Sequence, residues 1–180
     1  PRSTLFPYTT LFRSLHTNNA AGVIPRLIDL GVNPKILVSA LSLSIAQRLV
    51  RKLCPVCKKE KIPTEWEEDL MKKVIESIEE EGKDLKNYNI DPNSSFKLYE
   101  AVGCEKCNMT GYKGRIGIFE AIKTDEPIEK IIPQNPSERE IKRVARNQGI
   151  LSMRQDGIVK IINGTTSFEE VQSVVDLTEE

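Results

Sequence analysis

Long hydrophobic runs of the kind that form a transmembrane helix are missing from this chain. No uncharged stretch exceeds 12 residues, and the most apolar of them, Ile36 to Gln47, falls well short of the ~20 residues a bilayer-spanning helix needs. An excess of charge of one sign is also missing. The 26 basic and 26 acidic residues cancel to a net of +0, which argues against a polybasic anchor or a wide nucleic-acid footprint. Aromatic residues make up only 6% of the chain, and just Tyr99 and Tyr112 lie near the cysteines, so nucleic-acid binding lacks the residues it would require. There is a single histidine, and no G-x-x-x-x-G-K-[ST] string for cradling phosphates occurs anywhere. What is present is a globular composition, 39% hydrophobic and 29% charged over 180 residues, enough for one domain with room for a small inserted module.

Residues 1–14, PRSTLFPYTTLFRS, carry no hydrophobic periodicity, no continuous apolar run and no small-residue cleavage site. The piece TLFPYTTLFRS resembles the in-frame translation of a sequencing-library adapter. The segment is therefore set aside as an artefact, with the expectation that natural sequence before Leu15 is missing. Without Arg2 and Arg13 the chain has 24 basic against 26 acidic residues, a net of −2.

The four cysteines fall as Cys54, Cys57, Cys104 and Cys107, two Cys-x-x-Cys pairs separated by 46 residues. Such a turn lets two thiolates converge on one ion while backbone N–H groups bond the sulfurs. Two pairs at this spacing are a common zinc pattern, and no secretory signal favours disulfides. Two disulfides or a thiol-redox pair are the alternatives. A Zn²⁺ site with four protein ligands is closed and hence structural. Its formal charge of about −2 could be offset by Lys52, Lys58, Lys59, Lys61, Lys106 and Lys113.

Periodicity and capping signals place the elements. Thr17 and Asn18 are N-cap types before a helix at 20–30 with Val23, Leu27 and Leu30 on one face, stopped by Gly31. Asn33-Pro34 opens a second helix, PKILVSAL. Residues 42–53 read as a strand of the main sheet, with helix as the alternative. Thr64 and Glu67 form a capping box for a helix over 64–81, with Trp66, Leu70, Val74, Ile75 and Ile78 on its apolar face and Glu67 among the polar residues opposite. Residues 91–95 form a turn, FKLYEAV a strand, and 115–122 another. Ser137 with Glu140 and Ser167 with Glu170 mark further helix starts, and Gly149 and Gly164 mark stops. Met71, Met109 and Met153 read as packing residues.

LHTNNAAGVIPRLIDLGV, IAQRLVRKLC, the two cysteine pairs, GYKGRIGIFE and SMRQDGIVKIINGTTSFEEV together resemble the hexameric ATPases that power type II secretion and type IV pilus assembly. The resemblance runs from Leu15 to the end, and the four cysteines favour the secretion and assembly branch over the retraction branch. It implies an α/β fold: the C-terminal part of a RecA-like P-loop ATPase domain with an inserted four-cysteine zinc subdomain and a C-terminal helical bundle. The divisions expected are 15–53 for a core segment, 54–107 for the zinc-binding insertion, 108–124 for a core strand region and 125–180 for the helical region.

By the same resemblance His16 matches the family histidine near the terminal phosphate, and Arg48, Arg51 and Arg115 are candidates for contact with nucleotide or neighbouring subunits, solvated arginines being the alternative. ATP and Mg²⁺ are implied for the intact protein, as is a homo-hexamer at the cytoplasmic face of the inner membrane. That hexamer would meet the membrane only through an inner-membrane platform protein and would bind no nucleic acid. The P-loop half would lie before Leu15, and without it the chain is expected to leave apolar faces uncovered and to be inactive alone. A stand-alone zinc-ribbon interaction module is the rival reading.

Overall fold

The computed structural model describes residues 15, 17–91 and 96–178. Residues 1–14, His16 and most of the turn expected at 91–95 lie outside them. The architecture is mixed α/β.

Helix α1 spans Val23–Asp29 and α2 Pro34–Ala40. Neither Thr17 nor Asn18 caps α1: Gly22 is the N-cap, and its N–H is taken by the Asn19 side chain at 2.9 Å. The buried residue of α1 is Ile24, not the expected stripe, and Leu30 is 57% exposed. With only 7 residues, the helix ends before Leu30 can turn inward. Gly31, at φ 86°, reverses the chain there. The second helix starts as expected, with the Asn33 side chain accepting from the Lys35 N–H and Pro34 in the first turn.

Strand β1, Leu43–Leu53, pairs antiparallel with β4, Tyr112–Lys123, in register from Leu43 opposite Lys123 to Arg51 opposite Arg115. A bulge between Arg51 and Leu53 then brings Leu53 opposite Tyr112, so β4 begins earlier than expected from sequence. Burial alternates along β1, which settles strand over helix. The inner face carries Ser44, Ala46, Val50, Ile118 and Ile122, all buried; the outer face leaves Leu43, Ile45, Leu49 and Phe119 exposed, Ile45 by 60%.

Between these strands lie β2, Lys59–Lys61, and β3, Leu98–Glu100, which pair with each other antiparallel, and α3, Glu65–Glu80. Thr64 and Glu67 close their capping box as expected. Glu67 is nevertheless buried, because its carboxylate also takes Lys61 Nζ at 2.8 Å. Met71 joins Leu70, Val74, Ile75 and Ile78 in the core, whereas Trp66 is 48% exposed and meets Phe168 only edge-on, at 5.6 Å between ring centres. Met153 is buried, but Met109 is exposed, so it is no packing residue.

The C-terminal helices are α4 Glu126–Ile131, α5 Glu138–Ala145, α6 Met153–Ile162 and α7 Phe168–Gln172. Gly149 and Gly164, both at positive φ, end segments as expected. The Ser137 box is complete, while Ser167 caps α7 without the reciprocal bond, because Glu170 is bound to Arg51. Ser152 and Gln155 form a further box at the start of α6. Helix α6 packs on β4, on α3 and on α7, with Ile158 and Ile161 fully buried. Among the described residues no helix is long and apolar enough to cross a membrane.

A buried polar cluster pins α3 to α6. Lys83 Nζ donates to Glu81 and, at 2.7 Å, to Gln155 Oε1; Gln155 Nε2 donates to Glu81 Oε2 at 3.0 Å and Ser77 Oγ at 3.2 Å. Gln155→Ala strips a buried ammonium of a partner and should cost about 2–4 kcal/mol in chemical denaturation. Lys83→Met leaves the Glu81 carboxylate without its cation and should likewise cost about 2–4 kcal/mol. A loss below about 0.5 kcal/mol in both variants would show that the cluster is not what holds the two helices together.

Candidate metal centre

Cys54 leaves the end of β1 and donates its N–H to Gly111 O at 2.9 Å, just before β4 begins. The strand pairing therefore delivers one cysteine of the first pair beside the chain that follows the second. The Lys58 N–H closes the first turn on Cys54 O at 3.0 Å. The second pair sits on a short 3-10 turn, with Cys107 N and Met109 N both donating to Cys104 O, at 3.1 and 2.9 Å. Gly103 (φ 106°) and Gly111 (φ 76°) bracket it, and a Cβ on Gly111 would fall 2.6 Å from Ala101 Cβ.

The sulfurs converge. Cys54 to Cys104 is 4.0 Å, Cys57 to Cys107 3.8 Å and Cys104 to Cys107 3.7 Å, with all four Sγ atoms within 4.8 Å of one another. None is in a disulfide, whose bond is about 2.05 Å. Ligands at about 2.3 Å from a tetrahedral ion lie about 3.8 Å apart, so the four positions suit one metal ion. Thiolate softness restricts the choice to ions such as zinc, copper(I) or iron.

Four thiols this close do not ionise equally, since each negative charge raises the cost of the next. Burial pushes the Cys57 thiol up to about 12. At Cys107 burial also opposes ionisation, yet the N–H groups of Cys104 and Gly111, 3.1 and 3.2 Å from its Sγ, bring it down to about 6. Cys54 is lowered chiefly by the Val56 N–H. N–H groups aimed at sulfur are the outer partners a thiolate–metal centre uses. Of the nearby lysines, Lys58 donates to Gly164 O at 2.7 Å and lies 4.4 Å over the Tyr99 ring, and Lys61 is held by Glu67.

The other expected site residues do not converge on this cluster. His16 lies outside the described residues. Arg48 Nη2 donates to Asn18 O at 2.8 Å. Arg51 grips Glu170, with Nε to Oε1 at 2.9 Å, and stacks 4.1 Å over Tyr112, whose hydroxyl meets Ser167 at 2.9 Å; the guanidinium holds the Glu170 carboxyl below its ordinary value. Arg115 is exposed opposite Arg51. Sequence reasoning missed Glu120 and Glu138, which bond residues just after His16. Glu120 ends the string GYKGRIGIFE, but a carboxylate on a strand carries no local signal of its partner.

The family described as type II/IV secretion system protein has a model that matches residues 9–173. The chain belongs to this family. Within it, the type IV pilus assembly ATPase PilB of Pseudomonas aeruginosa is 40% identical over 162 residues, which is 89% of this chain and 26% of that protein. Type II secretion system protein E of Aeromonas hydrophila is 40% identical over 161 residues, 89% of this chain and 28% of that protein. Type II secretion system ATPase E of Vibrio cholerae is 37% identical over the same shares. The chain thus spans little more than a quarter of the length of these secretion-family relatives.

Gly111→Ala should weaken metal binding in competition with a chromophoric chelator and lower stability by about 1–3 kcal/mol, through clash and strained φ together. Gly114→Ala meets nothing within 4 Å at a similar φ of 81°, so it should leave metal affinity unchanged. Similar metal affinities in both variants would show that the close approach at Gly111 does not shape the site.

Proposed function

We propose that this chain is the C-terminal portion of a cytoplasmic ATPase that powers type II protein secretion or type IV pilus assembly. The relatives at 37–40% identity, named as ATPases of those two systems, carry the proposal. On this reading it is part of a RecA-like domain of a homo-hexamer that docks on an inner-membrane platform protein. ATP and Mg²⁺ are held elsewhere in the longer protein, since this sequence contains no G-x-x-x-x-G-K-[ST] string. The exposed apolar outer face of β1 and β4 supports the reading, because a strand apolar on both faces suits a sheet covered on both sides.

His16 takes the place of the family histidine by resemblance. Arg115 is the arginine best suited to a nucleotide or a neighbouring subunit, since Arg48 and Arg51 are engaged with Asn18 and Glu170. The cysteines are proposed to hold one structural Zn²⁺: Cys54, Cys57, Cys104 and Cys107 would fill its coordination sphere and leave no open position for chemistry. A stand-alone zinc ribbon is disfavoured because α3, inside the insertion, is bonded through Ser77 to α6.

Elemental analysis should find one zinc per chain, and Cys54→Ser or Cys104→Ser should release it while the far-ultraviolet signal of the C-terminal helices persists. A reduced chain with no metal and a folded 54–107 segment would overturn the zinc assignment. The 180-residue chain should show no ATP turnover above a blank, whereas the longest natural form should hydrolyse ATP with Mg²⁺. Turnover by the short chain, or none by the long one, would overturn the ATPase reading.

A further inference from the structure

The segment directly after His16 is held to an unusual degree by side chains from far along the chain. Ala20 is 0% exposed and Ala21 1%. The Asn18 carbonyl is taken by Arg48 at 2.8 Å and the Ala20 carbonyl by Ser44 Oγ at 3.0 Å. Asn19 Nδ2 donates to Glu138 Oε1 at 2.5 Å, and the Ala20 N–H donates to Glu120 Oε1 at 2.5 Å. The other oxygen of Glu120 accepts from the Met153 N–H at 3.2 Å. Met153 opens α6, where the first N–H groups have no partner within the helix and a carboxylate is favoured by the dipole. One carboxylate therefore spans two backbone donors, one on the loop 17–22 and one on the helix that also packs on α3.

We infer that Glu120 is a positioning residue, fixing the loop that follows His16 to the first turn of α6, so that the two move together. The chemistry is specific to a carboxylate. Both its oxygens accept, whereas a glutamine of the same size presents one oxygen and one NH₂, which must face one of the two N–H donors and lose that bond. Aspartate keeps both acceptors but is one methylene short of spanning the pair. The functional consequence rests on the ATPase reading: if the loop senses nucleotide, Glu120 passes its position to α6 and, through Gln155 and Lys83, to the insertion.

The test is amide exchange on the 180-residue chain, with metal content and far-ultraviolet spectrum as checks of folding. E120Q should speed exchange about tenfold or more at Ala20 or Met153, and E120D likewise, with the zinc retained. Wild-type protection at both amides in folded E120Q would overturn the proposal. In the longest natural form, E120Q should lower kcat about tenfold per metal-loaded hexamer while KM for ATP stays within about twofold. A change confined to the yield of folded protein, with kcat intact, would overturn the functional part. If that form shows no ATP turnover at all, the ATPase reading falls, and the exchange result alone decides whether Glu120 positions the loop.

Discussion

The antiparallel pairing of β1 with β4 is the constraint on which the rest of the structure depends. It joins residues far apart in sequence, Ser44 and Ile122 being 78 apart, so it cannot form until the whole intervening segment has been looped out, at an entropic cost that grows slowly with length. Once formed, it fixes the geometry at both ends. At the Leu53 and Tyr112 end it sets Cys54 against Gly111 and lets the sulfurs meet. Along its inner face it offers Val50, Ile118 and Ile122 to the helices, with Ser44, Arg48 and Glu120 aimed at the loop after His16. The apolar packing and the polar clamps use the same face, which is why neither can be repositioned without the other.

What the sequence made legible was mainly local. The caps at Thr64, Ser137 and Asn33 are decided within three residues, and the structure forms each. Each Cys-x-x-Cys turn belongs to the same class, while the meeting of the two pairs, separated by 46 residues, depends on the β1–β4 pairing. Ser152 and Gln155 form a box of the same kind as Ser137 and Glu140, with glutamine in place of glutamate. Periodicity identified the inner side of α3 but misjudged its ends. Trp66 lies in the first turn, half exposed with only Phe168 against its ring, and Glu67 is buried with its carboxylate hydrogen-bonded to Lys61 and Thr64.

The contacts that assemble the site were not legible, for a physical reason. Lys83 and Gln155 are 72 residues apart, Ala20 and Glu120 100, and Arg51 and Glu170 119. A lysine, a glutamate or an arginine in a charged sequence looks the same whether it is solvated or holds a distant backbone group. Only the fold distinguishes them. Arg51 illustrates this: basic and adjacent to the first cysteine pair, it suits a phosphate contact on sequence grounds, yet in the fold its fork is occupied by Glu170 and its face by Tyr112. The pair ties β1 to α7 with its Arg51 side about half exposed and Glu170 mostly covered, so solvent and salt reduce the strength of the bridge on the arginine side. It specifies where α7 lies more than it stabilises the chain.

The four-cysteine cluster lies outside the main apolar core. Strands β2 and β3 have three residues each, too few for an independent sheet, and α3 draws its burial from α6 rather than from the cysteine turns. The segment around Cys57 is held by its turn and by Lys58, which is bonded to Gly164 O and lies over the Tyr99 ring, and the segment around Cys104 by turns at positive φ. On the zinc proposal, a tetrahedral ion bonded to all four sulfurs would join residues 50 apart and restrict the segment between them, in the way a cross-link removes conformational freedom from the open state. The helix of the insertion is fixed separately, by Gln155 and the buried Lys83. Two anchors of different chemistry thus act on one insertion, thiolates at its root and a hydrogen-bonded ammonium at its far helix. Residues 54–107 are bonded to α6 through Ser77 and to the start of β4 through the Cys54 N–H and Gly111 O, two contacts of different kind on one segment.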